Sequence, residues 1–227
     1  MLPSSTVENY LKAIHQGQSS LGRDQRLVPM GQVASALGVT PGTATTMVKA
    51  LAESGLVEYE PYTGVRLTKA GDKLAALVLR RHRLVELFLV QVMGMAWDEV
   101  HDEAEQLEHV VSDRLIDRID QMLGRPTHDP HGDPIPSADG AIAALPSDSL
   151  LTCPTGTVLK VTRITDQDPA FLRFVESNNL KPGQRVEVDA RDAAADAVRL
   201  RRANSEPLTI GARAASKLLV ETDKAER

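Results

Sequence analysis

The sequence predicts an α+β chain of three successive modules: an N-terminal winged helix-turn-helix, a helical metal-binding and dimerisation domain, and a small C-terminal β-barrel. Three observations carry this reading. Residues 30–68 run as short helix, turn, longer helix and hairpin. Residues 70–123 place apolar side chains at helical spacing. After about Leu145 the chain changes to short segments of alternating polarity, which read as strands. The expected domains are 1–73, 74–141 and 142–227.

Residues 6–16 read as a helix with Val7, Tyr10, Leu11 and Ile14 on one face, followed by a loop over 17–26 rich in Gly, Ser and charge. Residues 30–37 form a short helix. Thr40 is a good N-cap with Pro41 at the first helical position, and the helix it starts runs to about Ser54 and stops at Gly55. Residues 56–60 and 65–68 alternate on either side of Pro61-Tyr-Thr-Gly64, which predicts a hairpin. This order is that of a winged helix-turn-helix, whose second helix enters the major groove of double-stranded DNA. The start and exposed face of that helix carry Thr40, Pro41, Gly42, Thr43, Thr45, Thr46 and Lys49. Hydroxyls, methyl groups and one ammonium suit phosphates and thymine methyls. A plain helical hairpin with a solvated face is the alternative.

A long helix is expected from Thr68 or Ala70 to about Met93, a second from Trp97 to Val111, and a third over 113–123 capped by Ser112. Leu84, Leu87, Phe88, Leu89 and Val92 exceed what one small helical layer can bury, so they predict a homodimer interface. Residues 125–138, dense in Pro, Gly, His and Asp, read as a linker. Strands are expected at 157–164, 184–189, 197–201 and 217–221 in a barrel of about five strands. A helical turn or two is expected at 168–174.

The densest chemistry lies in His101-Asp-Glu-Ala-Glu105-Gln-Leu-Glu108-His109. A helix advances about 100° per residue, so relative to His101 the others fall near about 40° (Glu105), about −20° (Glu108) and about 80° (His109). Two imidazoles and two carboxylates on one face are the donors that a divalent transition metal takes. His82 and Glu86 repeat the i, i+4 spacing on the preceding helix. His128 and His131 lie in the expected linker and read as surface residues.

The single Cys153 excludes an intrachain disulfide and fits a reducing compartment. Residues 1–20 lack the apolar core of a signal peptide, and no run reaches the length of a membrane span, so a cytoplasmic protein without membrane contact is expected. The net charge of −5 hides an asymmetry: residues 74–141 hold thirteen Asp/Glu against six Arg, whereas basic side chains slightly outnumber acidic ones in 1–73. There is no HExxH pattern, no Gly-rich phosphate loop and no nucleophile with an evident base, so no enzyme and no small-molecule substrate are expected. A metallohydrolase and a metal-independent winged-helix regulator are the competing classes.

Val7-Glu-Asn-Tyr-Leu-Lys-Ala-Ile14, Gly55-Leu-Val57, Leu67-Thr-Lys-Ala-Gly71, Arg81-His-Arg-Leu-Val-Glu86, the run from Val100 to Asp113, and His131-Gly-Asp-Pro-Ile-Pro136 together resemble the diphtheria-toxin-repressor/manganese-transport-regulator family over residues 4–140. The tail resembles the SH3-like, FeoA-type domain of longer members, through Leu180-Lys-Pro-Gly183 and Glu206-Pro-Leu208. The resemblance implies a dimeric repressor that binds palindromic operators when Mn(II) or Fe(II) is plentiful. It implies an ancillary site of His82, Glu86 and His101, completed from the SH3-like domain by Asp168, with Asp166 and Gln167 as alternatives. It implies a regulatory site of Glu105, Glu108 and His109, joined by Asn9 of the first helix.

Iron-responsive members of that family carry Cys where this chain has Glu105 and Met where it has Asn9. Oxygen donors at both places favour the harder Mn(II), with Fe(II) as the alternative. Manganese regulators often place another Glu where this chain has Lys12, which cannot serve as that ligand; Glu8 or a water is the available substitute. The expected switch starts from repulsion between Glu105 and Glu108, with nothing tying the first helix to the acidic helix until metal binds.

Overall fold

The apolar spacing of the N-terminal region is realised as α1 (Ser5–Ser20), α2 (Met30–Ala36) and α3 (Pro41–Glu53), followed by β1 (Val57–Glu60) and β2 (Gly64–Leu67). The computed structural model describes residues 4–21, 27–143, 148–202 and 205–223. The chain divides into two compact units. The first comprises Met1–His82, Glu108–Val111 and Pro136–Ile142; the second comprises Arg83–Leu107, Ser112–Ile135 and Ala143–Arg227. The long helix α4 (Lys69–Gln91) supplies residues to both.

The core of the first unit is Leu11 and Ile14 of α1, Val33 of α2, Ala44, Val48 and Leu51 of α3, and Val57, Val65 and Val28 from the hairpin region. Burying each of the larger aliphatic side chains contributes roughly 1.5–3 kcal/mol. Thr40 caps α3 as expected: its Oγ1 accepts the Thr43 amide at 3.2 Å, with Pro41 next in the chain. The hairpin is in register with Val57 opposite Leu67 and Tyr59 opposite Val65, which places its apolar residues on one face.

The first helix is longer than its sequence suggests. It continues to Ser20, so the loop expected over 17–26 begins only after it, and residues 22–26 lie outside the described residues. Gly17 permits this extension: a Cβ there would sit 2.7 Å from a methyl of Val28, so only glycine lets the helix lie this close to the core. Gln18 in the added turn accepts the Leu67 amide at 3.0 Å through its side chain.

In the second unit, α5 (Val100–Leu107) and α6 (Asp113–Met122, capped by Ser112) precede a five-stranded antiparallel sheet. Its strands are β3 (Val158–Ile164), β4 (Arg185–Asp192), β5 (Ala197–Arg202), β6 (Ser205–Gly211) and β7 (Leu218–Thr222), in the order β6-β5-β4-β3-β7. Helix α7 (Pro169–Ser177) follows β3, and the single turn α8 (Ala212–Ala215) precedes β7. The core is Leu150, Leu159, Val161, Ile164, Leu172, Val175, Leu180, Val188, Val198, Leu200 and Leu218, with Cys153 buried among them. Strand β6 escapes sequence reading because Pro207 interrupts its pattern. It is an edge strand, where a residue without an amide hydrogen is tolerated.

Three expectations need correction. Helix α5 ends at Leu107 rather than Val111, so Glu108 and His109 lie in a turn; the Glu108 carbonyl accepts the Arg81 guanidinium at 3.1 Å. Leu84, Leu87 and Leu89 are buried within the chain and Phe88 is half-buried, so this run is core. Val92, the last of the expected set, is exposed, and the other exposed large apolar side chains of the helical region are Met93, Val110, Leu115 and Met122. Residues 125–138 are no plain linker, because 131–135 are buried, His131 included. Asp129 Oδ1 accepts the amides of His131 and Asp133 at 2.8 and 2.9 Å, and the Ile164 amide of β3 donates to the His131 carbonyl at 2.8 Å. Gly132 has φ +87°, and a Cβ there would lie 1.9 Å from the Thr162 carbonyl oxygen, so the loop can press on β3 only through glycine.

Candidate metal centre

In the first unit, α1 presents Glu8, Asn9 and Lys12 within one turn. Glu8 is buried; its Oε1 accepts Arg81 Nη2 at 2.9 Å and its Oε2 accepts His109 Nδ1 at 2.6 Å. An ionised carboxylate can only accept, so the ring proton of His109 sits on Nδ1. That leaves the Nε2 lone pair buried, without a hydrogen bond, 3.4 Å from Glu108 Oε1. A carboxylate behind an imidazole whose far nitrogen is bare is the support that metal-ligating histidines use. Asn9 adds a buried Oδ1 that accepts no hydrogen bond.

Glu108 is fully buried and clamped. Lys12 Nζ donates to its two oxygens at 2.8 and 3.0 Å, and His82 Nδ1 lies 2.6 Å from Oε2. Burial alone would raise its pKa, but the His82 hydrogen bond and the Lys12 charge outweigh that and hold the carboxyl below the usual glutamate range. Glu108 is therefore ionised at neutral pH, as a ligand must be. Oxygen and imidazole donors with no sulfur suit Mn(II), Fe(II) or another first-row divalent ion. The expected switch needs revision here: without metal, Glu8 and Lys12 already tie α1 to His109 and Glu108.

In the second unit, Glu86 of α4 is fully buried and His101 of α5 is half-buried, with His101 Nδ1 3.2 Å from Glu86 Oε1. His101 Nε2 lies 3.8 Å from Glu105 Oε1 one turn on, so the i, i+4 pairing expected on α5 is present. Asp168 serves as the N-cap of α7, its Oδ1 accepting the Phe171 amide at 3.0 Å. Asp166 pairs with Lys217, and Gln167 Nε2 donates to Asp133 Oδ2 at 3.4 Å. In α3, Thr40, Thr43, Thr46 and Lys49 are exposed, as are Pro41 and Gly42, and Thr45 is half-buried. Thr45 and Thr46 donate back to the carbonyls of Pro41 and Gly42, which fixes the hydroxyls.

Arg81 and His131, both buried, lie outside the sequence-based ligand set. Arg81 fixes Glu8 and the Glu108 carbonyl, yet reads in sequence only as one more basic residue on a helix. His131 reads as a surface loop residue; its buried position depends on long-range packing that no local pattern reveals.

Three consecutive family matches cover most of the chain. Residues 3–65 match "Iron dependent repressor, N-terminal DNA binding domain", residues 68–137 match "Iron dependent repressor, metal binding and dimerisation domain", and residues 149–222 match "FeoA domain". The iron-dependent repressor IdeR of Mycobacterium leprae (strain TN) is 29% identical over 201 residues, covering 83% of this chain and 85% of that protein. A solved manganese-dependent transcriptional repressor in complex with manganese is 41% identical with a TM-score of 0.86, over 95% of this chain and 99% of that one. The manganese regulator SloR is 32% identical with a TM-score of 0.76, over 98% of this chain and 100% of its own.

Proposed function

The chain belongs to the iron-dependent repressor family of metal-dependent transcriptional regulators, and from that membership we propose a Mn(II)-sensing repressor, with Fe(II) as the alternative effector. Operator binding would fall to the domain over 1–73 through Thr40, Pro41, Gly42, Thr43, Thr45, Thr46 and Lys49. Residues 74–141 would hold metal and form the homodimer, and 142–227 the FeoA-type domain. The regulatory ligands are Asn9, Glu105, Glu108 and His109. The ancillary ligands are His82, Glu86 and His101, with the second oxygen of the capping Asp168 from the C-terminal domain. Target genes of metal transport, palindromic operators and a cytoplasmic location belong to the same reading. Among the described residues no helix is long and apolar enough to cross a membrane.

The observation that carries this reading is His109, oriented by Glu8 so that a bare Nε2 faces the ionised, buried Glu108. A divalent ion bound there supplies positive charge and directional coordination. The chain's own residues do the rest. With an ion held by Glu108 and His109, Glu108 would exchange part of its Lys12 clamp and Asn9 would offer its buried Oδ1. Helix α1 would thereby be held by a different set of contacts. Since paired half-sites demand a set spacing of recognition helices, a change in how α1 is held alters operator affinity. The test is operator binding titrated with Mn(II), anaerobic Fe(II) and Zn(II) against a chelated control. Binding that ignores the chelator would instead support a metal-independent regulator.

A further inference from the structure

We propose that Glu86, Asp129 and His131 form a further divalent-cation site, lying wholly within the second unit and taking a first-row ion through two carboxylate oxygens and one imidazole nitrogen. One potential ligand atom from each of the three lies within 4.8 Å of the other two, and all three residues are buried. Only Glu86 is shared with the ligands assigned above.

The protonation pattern of His131 is the central argument. Its Nε2 lies 2.9 Å from the Trp97 carbonyl oxygen, which can only accept, so Nε2 carries the ring hydrogen. In the neutral ring Nδ1 then bears a lone pair. That atom is buried, makes no hydrogen bond, and faces Glu86 Oε2 at 3.8 Å. A bare nitrogen and a carboxylate oxygen turned towards each other in a buried site repel unless a proton or a metal ion lies between them. The ring is also held in orientation, stacked on Trp97 at 5.5 Å between centroids. A backbone carbonyl behind one nitrogen and a free lone pair on the other is the support typical of a metal-ligating histidine.

Asp129 supplies the second independent sign. Its Oδ1 is taken by two backbone amides, whereas Oδ2 is buried without a hydrogen bond, 3.9 Å from Arg83 Nε. Arg83 is shared with Asp133, which also pairs with Arg163 at 2.7 Å. A cleft of about 410 Å³ lined by Gly132, Lys160 and Arg163 reaches Asp129. An ion there would fasten α4 to the loop that Gly132 presses against β3. It would act as a structural cross-link of the second unit, distinct from the regulatory ligands on α1.

The test is the number of Zn(II) ions retained per chain by the full-length protein after equilibrium dialysis, measured by elemental analysis, with folding followed by circular dichroism. His131→Gln and Asp129→Asn should each retain one ion fewer than the parent, and His128→Gln the same number. Asp129→Asn keeps the oxygen that accepts the two loop amides, so it carries the test if His131→Gln fails to fold. The same difference is expected in a Glu108→Ala background, so failure of the regulatory site and failure of this one are read separately. Equal zinc retention by the parent and both variants would overturn the proposal. So would ¹⁵N resonances showing both His131 ring nitrogens protonated in the zinc-loaded protein, since a protonated Nδ1 holds no metal.

Discussion

Lys12 Nζ lies 2.8 and 3.0 Å from the two oxygens of Glu108, and both side chains are buried. A fixed ammonium thus sits against the carboxylate that the regulatory ion must also use. It neutralises Glu108 in the metal-free chain and competes with any cation that arrives. Removing one partner of a buried pair costs about 3–5 kcal/mol, because the remaining charge loses its compensation.

Lys12→Met should therefore lower the melting temperature of the metal-free protein by roughly 6–12 °C, the equivalent of about 3 kcal/mol in a chain of this size. Added Mn(II) should raise the melting temperature of the variant more than that of the parent, since the ion then meets no competitor. Thermal melts with and without Mn(II) decide it. Equal Mn(II)-induced shifts would count against competition at Glu108.

Glu108→Ala should abolish metal-dependent operator binding; because it also removes the carboxylate that the buried Lys12 ammonium faces, folding is checked by circular dichroism beside the binding assay. Gel shifts with and without Mn(II) give the readout. A metal response like the parent's would remove Glu108 from the regulatory site.

Lys49 is exposed on α3, the helix proposed to meet DNA. Lys49→Ala should weaken binding to specific and unrelated DNA alike. It should also reduce the slope of log affinity against log salt by about 1 per protomer. A loss confined to one operator sequence would point to base contact instead.

Gly132→Ala should destabilise the second unit by roughly 3 kcal/mol or more, since both the positive φ and the approach to the Thr162 carbonyl oppose a Cβ. Urea unfolding measures this. A change under about 0.5 kcal/mol would mean that the loop relaxes freely.

Much of the fold was legible because local signals agreed with tertiary packing. Thr40 and Ser112 cap the helices they were expected to cap, and the hairpin and four of the five strands of the larger sheet follow from alternation. The failures share a cause. Gly17 reads as a loop residue, but its missing Cβ serves a close helix contact with Val28. Leu84, Leu87 and Leu89 read as surplus surface because sequence cannot show what covers them. In the metal centre, the residue types and their spacing on helices were readable. Lys12 and Glu8 were noticed only as departures from a family pattern. Their contacts with Glu108 and His109 join residues about a hundred positions apart, a distance no periodicity spans.

The sheet of the second unit exposes two borders, and each is closed to an incoming strand in its own way. On the β7 side, residues 148–150 bond to the strand, with Leu150 donating to Leu218 and Val220 donating to Asp148. On the β6 side, Pro207 brings no amide hydrogen, so a second chain could not lay down an unbroken ladder. A chain of a DNA-binding, dimerising family is thereby guarded against pairing edge to edge through its C-terminal sheet.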